Sequence, residues 1–143
     1  MSDAKPGAAP TAQCVPVPAG AGALVMGSAL LQSLEASGVA VLTLVEDVSE
    51  ADLLRSRLTR SEVTRHLQQM CHAASGMPMD IQSQMPEVDW SAWSLTGSGL
   101  MDASSHARDE ALSFAVRSLV SATLMWLRVY RQSHPALFRM AMG

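Results

Sequence analysis

The sequence predicts an all-α protein, in which a small bundle of four or five helices follows a disordered N-terminal tail. The longest apolar stretch, residues 111–130, repeats its apolar side chains at steps of three and four residues, the period of an α-helix. Helix start and stop signals recur along the chain. Only residues 38–45 (GVAVLTLV) have the β-branched composition of a strand, and one strand is unstable without a partner.

Residues 105–132 are predicted to form the central helix of the bundle. Ser104 or Ser105 can cap its first turn, and Pro135 ends it because helical geometry is disfavoured for the residue before a proline. At about 1.5 Å per residue this helix is roughly 42 Å long. Its predicted apolar face holds Leu112, Val116, Leu119, Thr123, Trp126 and Tyr130, and is widened by Ala115, Val120, Leu124 and Leu127.

The apolar centre of this helix is predicted not to span a membrane. Arg117 and Arg128 bracket it, and the run between them is shorter than the about 20 apolar residues that a bilayer requires. No secretory signal pattern is visible, and the two cysteines, Cys14 and Cys71, are expected to be free thiols. We therefore expect a cytoplasmic protein.

The chain before the central helix divides into a tail and several shorter helices. Residues 1–22 are rich in Ala, Pro and Gly and form the predicted tail, with a binding arm as the alternative; residues 23–143 form the domain. Residues 23–45 are predicted as a helix, with a strand at residues 38–45 as the alternative. A short helix is predicted over residues 50–57.

The best helix start signal is the pair Thr59 and Glu62, which has the spacing of a capping box. The helix that it opens should end at Gly76 and Pro78. Its predicted buried face holds Val63, Leu67, Met70 and Ala74.

The segment between this helix and the central one is predicted to be irregular. One or two helical turns cover residues 79–85, and a short turn holds Trp90 and Trp93. Gly97 and Gly99 are expected to make a mobile joint. With Trp126, the two tryptophans are predicted to be the largest members of the core.

Four arginines form a basic cluster near the start of the capped helix, and a histidine follows them. Arg55, Arg57, Arg60, Arg65 and His66 could bind phosphate or RNA, and the alternative is a solvated helix face beside an acidic segment. The net charge of −3 and the aromatic content of 4% give no general attraction to nucleic acid.

No metal site and no cofactor site is predicted. His66 and His72 are six residues apart and point to different faces of one helix, and no carboxylate or cysteine completes a ligand set. Met77 and Met79, on either side of Pro78, resemble the thioether ligands of a Cu(I) site. Methionine more often fills space in the core, so we predict no copper site.

Residues 49–93, SEADLLRSRLTRSEVTRHLQQMCHAASGMPMDIQSQMPEVDWSAW, resemble the HepT-like helical proteins of the HEPN class, which are the toxins of some bacterial toxin–antitoxin pairs. The resemblance implies a ribonuclease whose histidine follows an arginine by four to six residues, often with a tyrosine nearby. The segment after the tryptophans contains His106 without such an arginine. The spacing occurs instead at Arg60–His66 and at Arg128–His134, where Tyr130 lies between.

Two functions are compatible with these features. The first is a non-enzymatic helical protein that acts through contacts with a protein partner or a second copy of itself, as a diverged relative of HepT-like proteins. The alternative is a metal-independent ribonuclease toxin. In that case Arg128, His134 and Tyr130 would be catalytic, or alternatively Arg60 and His66, because a histidine can move a proton from a 2′-hydroxyl while an arginine stabilises the phosphate.

Overall fold

A computed structural model describes residues 19–139, and within that range the protein has six helices and no strand, which confirms the all-α class. Four long helices build the bundle and two short ones connect them. The helices are α1 (Ala19–Val45), α2 (Glu50–Arg55), α3 (Arg57–Ser75), α4 (Met79–Gln84), α5 (Trp90–Leu100) and α6 (Ser105–Ser133), and a 3₁₀ turn covers Pro135–Phe138.

Helix α1 begins earlier than the sequence predicted and contains no strand. Residues 19–22, assigned to the tail, are helical, because extending an existing helix by a turn requires no new nucleation. The rest of the predicted tail, residues 1–18, lies outside the described residues. The strand alternative for residues 38–45 is wrong, because they continue the same helix.

Helix α1 packs antiparallel to both α3 and α6. Ser37 donates a hydrogen bond to Gln69 on α3 (3.1 Å), and Glu35 forms an ion pair with Arg131 on α6. Gly38 lies where a Cβ atom would come within 2.8 Å of the Leu124 side chain. The missing side chain therefore lets α1 and α6 approach closely.

Helix α3 begins at Arg57 rather than after Thr59, so the predicted capping box is wrong. Ser56 is the N-cap, and its hydroxyl accepts a hydrogen bond from the Thr59 amide (3.3 Å). Because Ser56 ends α2 and starts α3, α2 stops at Arg55, two residues before the predicted end. The predicted α3 face is confirmed, and its buried residues are Val63, Leu67, Met70 and Ala74.

Helix α5 replaces the predicted turn and mobile joint. Asp89 caps it by accepting a hydrogen bond from the Ala92 amide (3.0 Å), and the helix runs through Gly97 and Gly99. A Cβ atom on Gly99 would lie 2.7 Å from the Cβ atom of Ala111. The prediction of a joint is wrong because the glycine serves close packing of α5 on α6.

Helix α6 has the predicted position and an unpredicted π-helical turn. Ser104 caps it, and it runs one residue past the predicted end. In the π turn, Ala115–Leu119, the Val120 amide bonds to the Ala115 carbonyl five residues back, which adds one residue to that turn. Of the predicted buried face, Leu112, Leu119, Thr123 and Tyr130 are buried, whereas Val116 and Trp126 are only partly buried.

The centre of the core is a single tryptophan. Trp93 is completely buried, and its indole N–H donates to the Thr123 hydroxyl of α6 (3.0 Å). Trp90 and Trp126 are half-buried, so the prediction that all three tryptophans dominate the core is wrong. The Trp90 indole N–H donates to the Met85 carbonyl (3.0 Å).

Two helices are long and apolar enough, by length and composition, to cross a membrane: Val25–Val45 and Ser105–Ser133. The core helix of a soluble protein meets the same criterion, and both segments supply buried residues, among them Leu34 and Val41 in the first and Leu119 and Leu127 in the second. The expectation of a cytoplasmic protein without a membrane span stays a prediction.

Candidate functional site

Three of the predicted basic residues line one groove of about 410 Å³ at the junction of α3, α5 and α6. We call it the arginine groove. Arg57, Arg60 and Arg65 come from the first half of α3, and Arg108 enters from the first turn of α6. The remaining lining residues are polar side chains of α3 and two leucines: Ser61, Thr64, Gln68, Leu100 and Leu112.

Two of the four guanidinium groups already face carboxylates. Arg60 forms an ion pair with Asp109 and also donates to the Leu54 carbonyl (3.1 Å). Arg65 donates to Glu62 (2.9 Å), and this hydrogen bond lowers the pKa of the Glu62 carboxyl group, which keeps it ionised at neutral pH. These pairs hold Arg60 and Arg65 in place and neutralise their charge.

The other two guanidinium groups have no carboxylate partner within residues 19–139. The Arg108 Nη1 atom donates to the carbonyls of Asp102 (2.8 Å) and Ala103 (3.0 Å), which fixes the side chain and leaves its charge uncompensated. Arg57 makes no hydrogen bond or ion pair to any described residue and is exposed. The groove therefore has an excess of about two positive charges.

The remaining members of the predicted basic cluster do not line the groove. Arg55 is exposed and pairs with Asp52 (2.5 Å). His66 is half-buried, with its Nε2 atom 3.2 Å from the Arg65 guanidinium. Its Nδ1 atom is buried and has no hydrogen-bond partner among the described residues.

The structure brings together two of the three residues predicted to be catalytic. The rings of Tyr130 and His134 lie 5.7 Å apart between centroids, and the Tyr130 hydroxyl donates to Glu87. His134 is exposed and lies 3.0 Å from the Ser133 hydroxyl. Arg128 is also exposed and contacts neither ring through any hydrogen bond or ion pair in the described part of the chain.

The hydrogen bond to Glu87, with a smaller contribution from burial, raises the pKa of Tyr130 to about 12. The folded protein therefore binds the phenol proton more tightly than the unfolded chain does, which stabilises the fold. This contribution to the free energy of unfolding is complete below about pH 10 and is lost between about pH 10 and 12. Tyr130 is the only tyrosine of the chain, so the phenolate absorbance reports it alone. We expect a titration midpoint near 12 in the folded protein.

The control for this titration is the Glu87→Ala variant, whose midpoint should fall toward the ordinary value of about 10. Far-ultraviolet circular dichroism at each pH shows whether the helices persist. A midpoint near 10 in the folded wild-type protein would contradict the hydrogen bond between Tyr130 and Glu87.

Several groups of the site have no local signal in the sequence. Arg108 is more than 40 residues from the other groove arginines, and only the packing of α6 on α3 brings it there.

A second groove of about 490 Å³ lies beside the π turn, where Glu50 accepts a hydrogen bond from Ser113 and lies 3.8 Å from the Arg117 guanidinium. Its residues are likewise far apart in sequence.

The described residues contain no cluster of metal ligands and no cysteine that is ionised at neutral pH. Between residues 19 and 139, no group of three or more His, Cys, Asp or Glu side chains could hold a metal ion. Burial raises the pKa of the Cys71 thiol to about 11, so this cysteine is protonated at neutral pH.

Comparisons with family models, with curated proteins and with solved structures found no match to this chain. They do not test the resemblance of residues 49–93 to HepT-like proteins, which stays a hypothesis.

Proposed function

We propose that this protein is a non-enzymatic helical bundle that acts through protein contacts, and that its first partner is a second copy of itself. The observation behind the proposal is an apolar stripe on the outer side of α6. We call this the spine stripe; its members are Ala122, Met125, Trp126 and Val129.

The spine stripe has the spacing of a helix-packing face, because its members lie at positions i, i+3, i+4 and i+7. Met125 is 48% exposed and Val129 is 44% exposed, and Trp126 is half-buried beside them. These side chains stand on the longest core helix, so a partner would meet a rigid surface. Single exposed apolar residues are ordinary on protein surfaces, whereas a periodic row of them is typical of a helix interface.

A second copy fits the stripe because residues 118–127 carry no charge. Two such faces can meet without burying a charged group in their centre. The nearest charges in sequence are Arg117, which precedes the stripe, and Arg128, which lies between Trp126 and Val129 and borders the stripe near its C-terminal end. If the two α6 helices pack antiparallel about a two-fold axis, each Arg128 lies near the opposite end of the partner stripe, and the two Arg128 side chains stay apart.

Substitutions in the stripe test the proposal by their effect on the dimer. We expect Met125→Glu and Val129→Glu each to weaken dimerisation on the order of a hundredfold or more, because an unpaired carboxylate would be buried at the interface. Sedimentation velocity over a range of protein concentrations measures the effect. The matched control is Leu95→Glu, which changes a residue of α5 that is 74% exposed and lies outside the stripe.

Three results would contradict the proposal: a wild-type monomer at every concentration, equal weakening by Leu95→Glu, or association only with lipid vesicles. The last would assign the stripe to a membrane surface.

The competing function is the ribonuclease, and the single observation in its favour is the contact between the Tyr130 and His134 rings. Cleavage of RNA by the purified protein that disappears in His134→Ala would favour that function instead.

A further inference from the structure

We propose that the arginine groove binds a phosphate monoester group, whether it is carried by a small metabolite or by a phosphorylated side chain of another protein. The groove lies on α3 and the start of α6, away from the C-terminal half of α6 that carries the spine stripe. This inference therefore does not depend on self-association.

The charge of the groove selects a dianion. Asp109 and Glu62 compensate two of its guanidinium groups, and Arg57 and Arg108 have no carboxylate partner among residues 19–139. A phosphate monoester carries a charge of about −1.5 to −2 at neutral pH, which matches this excess. A single carboxylate or a phosphodiester carries only one negative charge and would leave one guanidinium group unpaired.

The groove offers several hydrogen-bond donors to an oxyanion. Arg108 is held by two backbone carbonyls through its Nη1 atom, so its remaining N–H groups are free to face a ligand without loss of side-chain entropy. Arg57 stands at the start of α3 and can close over the ligand from the exposed side. Ser61 and Thr64 also line the groove, and their hydroxyl groups can donate further hydrogen bonds.

The lining of the groove disfavours nucleic acid as the occupant. None of its lining residues is aromatic, so no side chain can stack on a base. Its volume of about 410 Å³ fits one phosphate group with a short attached chain rather than a polynucleotide track.

Isothermal titration of the full chain with four probes tests the inference. They are inorganic phosphate, glycerol phosphate, a phosphoserine hexapeptide and a single-stranded RNA without a terminal phosphate. The same hexapeptide without phosphorylation is the control. We expect phosphate and at least one monoester to bind at one site per chain, more weakly as salt is added. Tighter binding of glycerol phosphate would identify a metabolite as the source, and tighter binding of the peptide would identify a protein.

Two neighbouring arginines provide a matched pair of variants. Arg57→Gln should weaken monoester binding about tenfold to a hundredfold, because it removes charge-assisted hydrogen bonds. Arg55→Gln, two residues away but outside the groove, should leave binding unchanged. Both side chains are exposed, so neither change should affect folding, and circular dichroism of the two variants checks this.

Four outcomes would overturn the inference. The first is the absence of binding by every phosphate probe. The second is binding of the unphosphorylated hexapeptide as tightly as the phosphorylated one, and the third is equal weakening by the two variants. The fourth concerns the RNA. Tighter binding of the RNA, if it depended on Arg57, would assign the groove to nucleic acid instead.

Discussion

Replacing Trp93 with alanine is expected to destabilise the fold by about 3–5 kcal/mol, because the substitution leaves a large cavity where the core is closed to solvent. Trp93 is completely buried and connects α5 to α6 through its hydrogen bond to Thr123. Small domains have a total stability of about 5–15 kcal/mol, so this variant should be close to unfolding at room temperature. Urea denaturation followed by circular dichroism measures the change.

The contribution of the hydrogen bond can be separated from that of packing at the same position. Thr123→Val keeps the shape of the side chain but leaves the buried indole N–H without an acceptor, which should cost about 1–3 kcal/mol. Thr123→Ser keeps the acceptor and serves as its control. A loss below about 1 kcal/mol for Trp93→Ala would contradict the position of this residue at the centre of the core.

Gly99→Ala is expected to destabilise the protein by about 1–2 kcal/mol, although alanine is the better helix former. The new Cβ atom would lie 2.7 Å from the Cβ atom of Ala111, and neither atom belongs to a flexible side chain that can move aside. Helices α5 and α6 must therefore separate slightly to admit it, which loosens the contacts between them.

The control is Gly97→Ala, two residues earlier in the same helix. Its Cβ atom would lie 3.5 Å from the Cβ atom of Cys71, an ordinary contact, so the substitution should be neutral or stabilise by up to about 1 kcal/mol. Opposite signs of the two changes in unfolding free energy would support close packing at Gly99. If both variants gained stability, α5 and α6 would have to be further apart than described.

The features that the sequence predicted correctly depend on neighbours along the chain. The buried face of α3 follows from a period of 3.6 residues, and the end of that helix follows from Gly76 and Pro78. The bounds of α6 follow from Ser104 and Pro135 in the same way. In each case the deciding residues lie within one or two turns of the feature.

The features that the sequence did not predict depend on contacts between helices. Gly99 was interpreted as flexible because Ala111, the residue that requires a glycine there, belongs to a different helix. The cap of α3 was placed at Thr59 because Ser56 and Thr59 are both competent caps, and only the end of α2 decides between them. The π turn of α6 has no signal of its own, and beside it Ala115 is buried as predicted while Val116 is only partly buried.

The candidate sites show the same division between local and long-range information. Three of the groove arginines were predicted because they lie together on α3, whereas Arg108 was missed. Tyr130 was predicted as a catalytic group, yet its hydroxyl is committed to Glu87, a residue 43 positions earlier in the chain. Of the spine stripe, the sequence predicts Trp126 to lie in the core, because periodicity identifies an apolar face but does not say which neighbour covers it.

The most direct test of the central claim is the mass of the wild-type chain in detergent-free buffer, measured by sedimentation equilibrium over a wide concentration range. We predict a concentration-dependent approach to twice the mass of one chain, and a single-chain mass for Met125→Glu at the same concentrations. A wild-type protein with the mass of one chain throughout would contradict the claim that the spine stripe joins two copies of the bundle.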